Sequence, residues 1–452
     1  MRTILSFIHQ NYLSHQPRLI VLPGLLIAAV IFASCGARDK EPRDEAPGGK
    51  AATDRSLTRI KKLTASDNSK SVSFGGSMAI YGDTAIVTAN EEKIGGNDDQ
   101  GSAYVFERNQ GGVDNWGQVK KLIASDGSMN DYFGASAAIN GDTAIIGANG
   151  DEIRNNREQG SAYIFERNKG GANNWGQAKK LIASDGGEID RFGGSVAIDG
   201  DTAIVGAPDI NFQRGAVYIF DRNKGGSNNW GQAKKLTASD AHDDSYFGES
   251  VAIYGDTAIV GANYMTGANL ALGAVYVFER NKGGANNWGR VKKLAASDGN
   301  GGDEFGNSVA IYGNVAIVGE HNRFIGSNFY QGVAYIFERN QGGANNWGQV
   351  KKLIASDGVK GAHFGESVAI YADMAIVGAN GATYIFERNH GGTSNWGEVK
   401  NLTSSDGAEG DLLGAPVGIY GDTAIVSGGK ANVGSAIQRG SVCIFLPKHL
   451  RR

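Results

Sequence analysis

From residue 57 onwards the chain is a succession of short apolar runs separated by glycine, aspartate and asparagine. One stretch shows the pattern in full: Ser195–Asp199 (SVAID), Ala203–Pro208 (AIVGAP), Ala216–Arg222 (AVYIFDR) and Gln232–Ala238 (QAKKLTA). The runs are rich in β-branched and aromatic residues and are broken by turn formers, so they predict strands and not helices. In the first run Val and Ile alternate with Ser and Ala, which predicts a sheet covered on both faces, one approach close and the other bulky. A two-residue turn joins the first run to the second: Gly82-Asp83, Gly141-Asp142, Gly200-Asp201, Gly255-Asp256, Gly313-Asn314 and Gly421-Asp422. Glycine supplies the positive φ that such hairpins require. Ala372-Asp373 breaks the series and predicts a backbone strain of about 1 kcal/mol if the same turn is kept.

The whole four-run unit repeats. Its clearest marker is Phe-Gly, at Phe74-Gly75, Phe133-Gly134, Phe192-Gly193, Phe247-Gly248, Phe305-Gly306 and Phe364-Gly365, with a degenerate seventh copy at Leu413-Gly414. Repeats of four strands at intervals of about 50–60 residues predict the blades of a propeller. The first strand, Thr58–Ala65, is of the fourth type, and the last, Ser441–Leu446, is of the third type. The expectation is therefore an all-β, seven-bladed β-propeller of four-stranded antiparallel blades over residues 57–447. Its ring closes by pairing the N-terminal strand with the C-terminal strands. The fourth run carries a lysine pair in six copies, Lys61-Lys62, Lys120-Lys121, Lys179-Lys180, Lys234-Lys235, Lys292-Lys293 and Lys351-Lys352, and Lys400-Asn401 keeps one. On an outermost strand lysine blocks edge-to-edge pairing.

Phe192-Gly193 followed by Gly206-Ala207-Pro208 spells out the FG-GAP repeat, and sister copies vary the last letter, as in Gly261-Ala262-Asn263. The chain resembles bacterial FG-GAP proteins and, more distantly, the N-terminal propeller of integrin α chains. That resemblance implies a non-enzymatic adhesion or ligand-binding module. The chain departs from it at one place. Where integrin-type repeats carry an aspartate-rich calcium loop, only Gly-Asp remains, and one carboxylate cannot supply the 6–8 oxygens that calcium takes. The nearest alternative is Asp298, Asn300, Asp303 and Glu304, and related loops hold Asp126 with Asp131 and Asp185 with Asp190. Aspartates capping turns are the preferred reading, and neither a metal nor another cofactor is expected.

Composition narrows the classes. Glycine is abundant at 68 residues while proline is scarce at 7, which fits tight turns better than disorder. A formal net charge of −3 lacks the basic stripe of a nucleic-acid binder. His242, His321, His363 and His390 fall in unlike loops with no nucleophile at a recognisable spacing, so no enzyme is expected. A propeller-fold carbohydrate-active enzyme with a carboxylate pair stays as an alternative.

The N-terminus reads as a targeting segment over 1–34 and a tether over 35–56. Arg2 and Arg18 flank a polar region, and an apolar run from Leu19 to Ser34, interrupted by Pro23 and Gly24, is short for a membrane span. Phe32-Ala33-Ser34-Cys35-Gly36 resembles a bacterial lipobox, with Phe32 in place of the usual leucine. The resemblance implies lipidation of Cys35 and, through Gly36, outer-membrane sorting. An uncleaved anchor or an ordinary signal peptide are the rival readings. The other cysteine, Cys443, stands where six sister repeats have tyrosine and reads as a buried, inert thiol.

Antiparallel succession fixes which loops share a face. Gly-Asp turns and third-to-fourth loops lie at one end of the ring; second-to-third and blade-to-blade loops lie at the other. The second-to-third loops vary most: Glu91–Gly101, Gly150–Gly160, Asp209–Gly215, Tyr264–Gly273, Asn322–Gly332, Gly381 and Lys430–Gly440. Divergent loops on near-identical strands suggest a recognition surface, with neutral drift as the alternative. Its candidate contacts are Arg154, Arg157, Phe212, Arg214, Tyr264, Arg323, Phe324, Phe329 and Tyr330, since arginine and aromatics dominate binding hot spots. The opposite face offers a rival, a ring of Trp116, Trp175, Trp230, Trp288, Trp347 and Trp396 that could stack on glycans or pack inward. The expected partner is a protein or a glycan, met by a monomer held at the membrane through its N-terminal lipid. A structural subunit of an outer-membrane assembly is a further alternative.

Overall fold

The computed structural model describes residues 57–67, 73–264, 266–267, 270–403, 413–428 and 440–447. The targeting segment, the tether with Cys35, and loop residues 430–439 lie outside the described residues. Seven four-stranded antiparallel sheets stand around a common axis, six of them built from strands in sequence order. We number them blade 1 (78–122), blade 2 (133–181), blade 3 (195–236), blade 4 (251–294), blade 5 (309–353), blade 6 (367–403) and blade 7 (417–447). Blade 7 takes its outer strand from the other end of the chain: Leu57–Leu63 pairs antiparallel with Val442–Pro447. First strands of successive blades touch all the way round, including blade 7 against blade 1, so the ring is closed.

Every blade has the same logic. The second and third strands are buried from end to end, as in Thr202–Ala207 and Ala216–Phe220. They are covered on both faces by neighbouring blades, which is why they read as continuous apolar runs rather than alternating ones. Seven hydrophobic clusters fill the seven gaps between blades. Each third-to-fourth pairing carries a bulge at the same place, for example between Ile219 and Phe220 and, in blade 7, between Arg59 and Lys61. An extra residue there increases the local twist of the outer strand.

The Phe-Gly marker has a packing reason. Phe192 is fully buried and meets Tyr218 and Phe220 edge-on at 5.5 and 6.0 Å. The Gly248 carbonyl of the next unit lies against Gly206, where an added Cβ would sit 2.1 Å from it. Ser195 Oγ donates to that same carbonyl at 2.7 Å. Gly206 is therefore held small by the next unit's carbonyl, and Gly248 by its own φ of +101° and the Ala216 carbonyl, 2.7 Å from where a Cβ would sit. The first loop residue of the Gly-Asp hairpins has φ near +55°, and Ala372 adopts φ +50° in the sixth, keeping the turn at the expected strain.

Candidate functional site

The two faces of the ring differ in chemistry. On the hairpin face the six tryptophans are 1–3% exposed. Each follows an exposed loop and tucks its indole under the blade. Arg222 lies 4.6 Å above the Trp230 ring, and Arg167, Arg280 and Arg339 cover Trp175, Trp288 and Trp347 in the same way. The arginine itself reaches backwards. Arg222 donates to Glu166 of blade 2 at 2.9 Å, to Thr143 at 2.9 Å and to its own hairpin Asp201 at 2.7 Å. The glycan-stacking reading of Trp116, Trp175, Trp230, Trp288, Trp347 and Trp396 is thereby corrected. All six indoles are core, and those of Trp175, Trp230, Trp288 and Trp347 are also covered by a cation–π contact.

The lysine pairs shield more than an edge. The first lysine of each pair crosses to the loop of the next blade: Lys120 to Asn174 at 2.6 Å, Lys179 to Asn229 at 2.7 Å, Lys234 to Asn287 at 2.7 Å. Lys400, before the seam, donates to the Leu57 carbonyl at 2.8 Å. The second lysine holds an aspartate of the preceding blade-to-blade loop, as Lys235 holds Asp185 at 2.7 Å with Tyr218 donating to the same carboxylate at 2.8 Å. Positive charge therefore keeps Asp185 and Asp126 below the usual carboxylate range against an opposing burial effect. Asp131 and Asp303 cap turns, accepting from the Ser128 and Asn300 backbone at 2.6 Å each. Burial pushes Asp131 up to about 6.

The variable face is where large apolar side chains meet solvent. Met129, Ile189, Phe212, Tyr264, Leu272, Phe324, Phe329, Tyr330 and Val359 are exposed there, against Val113 alone on the loops of the hairpin face among the described residues. Phe212, 75% exposed, sits in a left-handed turn with φ +60°. Arg154 and Arg157 are exposed over blade 2, with Glu158 3.5 Å from Arg157. Arg214 pairs with Asp243 at 2.7 Å. These three arginines and Phe212 form no common site with the rest.

Phe324, Phe329 and Tyr330 do come together, 45–47% exposed, with Phe324 edge-on to the other two at 5.0 and 5.2 Å. Lys360 lies 5.2 Å from the Phe329 ring. Tyr330 stacks on His363 at 5.7 Å and 10°, and His363 is 5.7 Å from His321. His321 Nε2 is 3.5 Å from Glu304, which accepts from Tyr264 and so pushes that phenol up to about 12. Burial holds the His321 imidazole below its ordinary value, His363 adds to this and Glu304 opposes it.

Arg323 is the second correction. It is 6% exposed and inserted between Asp303 and Asp298, an internal cation and not a contact residue. With Lys352 also on Asp298 at 2.7 Å, the most calcium-like loop of the chain is filled by its own basic groups. Beside Arg323 lies Glu320, fully buried, accepting from Tyr335 at 2.9 Å and pushed up to about 8 by burial. Five sister repeats have alanine at that position and the seventh unit has Gly428.

Sequence reasoning separated His321 from His363 because they lie in unlike loops. The signal that could have joined them is departure from the repeat. His321 stands where the sisters have Asn90, Asn149, Pro208, Asn263 and Asn380, and Glu304 and His363 stand where they have Tyr132, Arg191 and Tyr246. These departures, with Glu320, gather around blade 5. A cavity of about 490 Å³ is lined by Gly76, Asn90, Glu91, Glu366 and Pro416, from blades 1, 6 and 7.

No curated protein matches the sequence. The FG-GAP repeat family model matches residues 57–106, 116–165, 175–220, 230–278, 288–337, 347–392 and 396–445. Each match starts on the outer strand of one blade and continues through the inner three of the next. With seven such segments covering most of the chain and folding into seven blades, the protein belongs to the FG-GAP repeat family.

Proposed function

We propose that the protein is a non-enzymatic ligand-binding propeller of the adhesion type. Its recognition surface is the aromatic platform Phe324–Phe329–Tyr330–His363 of blades 5 and 6, flanked by Tyr264. The observation that carries this reading is the segregation of exposed aromatics to one face, while every tryptophan of the other face is buried. Exposed aromatic clusters are what protein and glycan ligands use. A lipid-tethered, extracytoplasmic setting rests on the lipobox-like sequence at Cys35. No helix among the described residues is long and apolar enough to cross a membrane.

The test is a binding screen of the purified chain against glycans, matrix proteins and envelope extracts. The double variant F324A/F329A is compared with R154A/R157A on the far sector of the same face. Loss of a ligand only with the first variant supports the platform. Equal loss with both, or no ligand for the folded chain, removes the reading.

A further inference from the structure

The residue before each Gly-Asp turn ends a first strand, the innermost of its blade, near the hairpin face. In ring order these residues are Tyr81, Asn140, Asp199, Tyr254, Tyr312, Tyr371 and Tyr420. Five phenols thus occupy the consecutive blades 4, 5, 6, 7 and 1. Their ring centroids are 4.9 Å apart for Tyr254–Tyr312, 4.6 Å for Tyr312–Tyr371, 4.9 Å for Tyr371–Tyr420 and 4.4 Å for Tyr420–Tyr81. Interplanar angles of 53°, 45°, 52° and 43° lie close to the step of about 51° between blades of a sevenfold ring. The phenols therefore follow the ring of blades as one continuous arc of neighbouring rings. The remaining gap is filled by Asn140, which donates to Asp199 at 2.9 Å. All seven residues are half-buried, so the arc is packed yet reachable by small solutes.

The closest pair spans the seam. Tyr81 belongs to the first blade and Tyr420 to the last, and the two are otherwise joined by strand pairing and apolar packing.

We propose that the arc is a site of oxidative cross-linking. Tyr81 couples to Tyr420, and Tyr312 to Tyr371, as dityrosine when hydrogen peroxide is activated by a haem or copper catalyst. Each phenol gives up one electron and one proton to become a phenoxyl radical, and one peroxide is reduced to two waters. The two radicals join through a carbon–carbon bond ortho to the oxygens. The ortho hydrogens then move to oxygen, restoring both phenols. Neighbouring rings held at contact distance favour this coupling over diffusion to a second molecule. The Tyr81–Tyr420 bond would span nearly the whole folded chain, the kind of closure that most restricts the unfolded state.

The experiment oxidises the full chain with limiting hydrogen peroxide and a small soluble haem catalyst. Dityrosine fluorescence, intact mass and cross-linked peptides are then read. The expected result is a monomer lighter by two or four hydrogens, peptides joining Tyr81 to Tyr420, and a higher unfolding temperature. Y420F and Y81F, each checked for unchanged melting before oxidation, should lose that peptide and most of the temperature gain while retaining Tyr312–Tyr371. Cross-links mapping instead to the Tyr246–Tyr264 pair, 5.5 Å apart on the other face, or joining separate molecules, overturn the proposal. So does a temperature gain that survives in Y420F.

Discussion

The hairpin face and the variable face are built from loops of the same seven blades, yet they treat their side chains in opposite ways. On the hairpin face nearly every repeated residue is committed to a neighbour. Lysine reaches the asparagine of the next blade, arginine the glutamate of the preceding one, and tryptophan lies beneath. The near-identity of the FERNKGGANNWGQ loops is then a structural requirement, repeated once per joint. On the variable face the loops differ, and apolar residues project to solvent without such commitments. Repetition marks what holds the ring together; departure from repetition marks what the ring presents.

The largest expected effect comes from the committed side. Trp230→Ala removes a buried indole and uncovers Arg222, and should cost about 3–5 kcal/mol in denaturant unfolding. A loss under about 1 kcal/mol would place tryptophan among the dispensable loop residues.

Next is Glu320, the sharpest departure within a core strand. Its folded carboxyl keeps a proton up to about pH 8, whereas the unfolded chain releases it near the ordinary glutamate range. The folded state therefore binds more protons between these limits, and stability falls as pH rises through that window. Glu320→Ala, which restores the residue of five sister repeats, should stabilise the protein. The gain should be small at pH 5 and larger at pH 8, reaching a few kcal/mol. Denaturant midpoints for both proteins at the two pH values provide the check, and a gain independent of pH would contradict it.

Smaller still is Ala372→Gly, which relieves a left-handed alanine in the sixth hairpin. It should stabilise by about 1 kcal/mol or less, since glycine returns part of the gain as unfolded-state freedom. The smallest change in stability belongs to the platform: F324A/F329A should move unfolding by under about 1 kcal/mol, because half-exposed rings bury little apolar area. Destabilisation comparable to Trp230→Ala would show that the platform is part of the scaffold and would blur the distinction between the faces.

Strands, blade number and ring closure were legible because they are local and repeated. An apolar run, a Gly-Asp turn and a fourth-type strand with no predecessor each declare themselves within a few residues. The site was less legible because its terms are long-range. Trp230 could be judged core or surface only once Arg222 and blade 2 were placed around it. Arg323 carries the composition of a hot spot and the position of an internal counter-ion, and the sequence around it does not separate the two. His321 and His363 are brought together by the packing of neighbouring blades, which the chain does not spell out at either position.

The offset between sequence repeat and blade has a further consequence. Because each FG-GAP unit starts on the outside of one blade and finishes within the next, the units overlap the joints like bricks laid in running bond. All seven joints are crossed by a continuous backbone inside a single unit, and strand pairing between the two chain ends completes the seventh blade. Inserting or deleting one whole unit would leave every blade with four strands and alter only how many stand around the axis. Ring size is thereby a property that such a chain can change in whole steps, without ever exposing an unfinished edge.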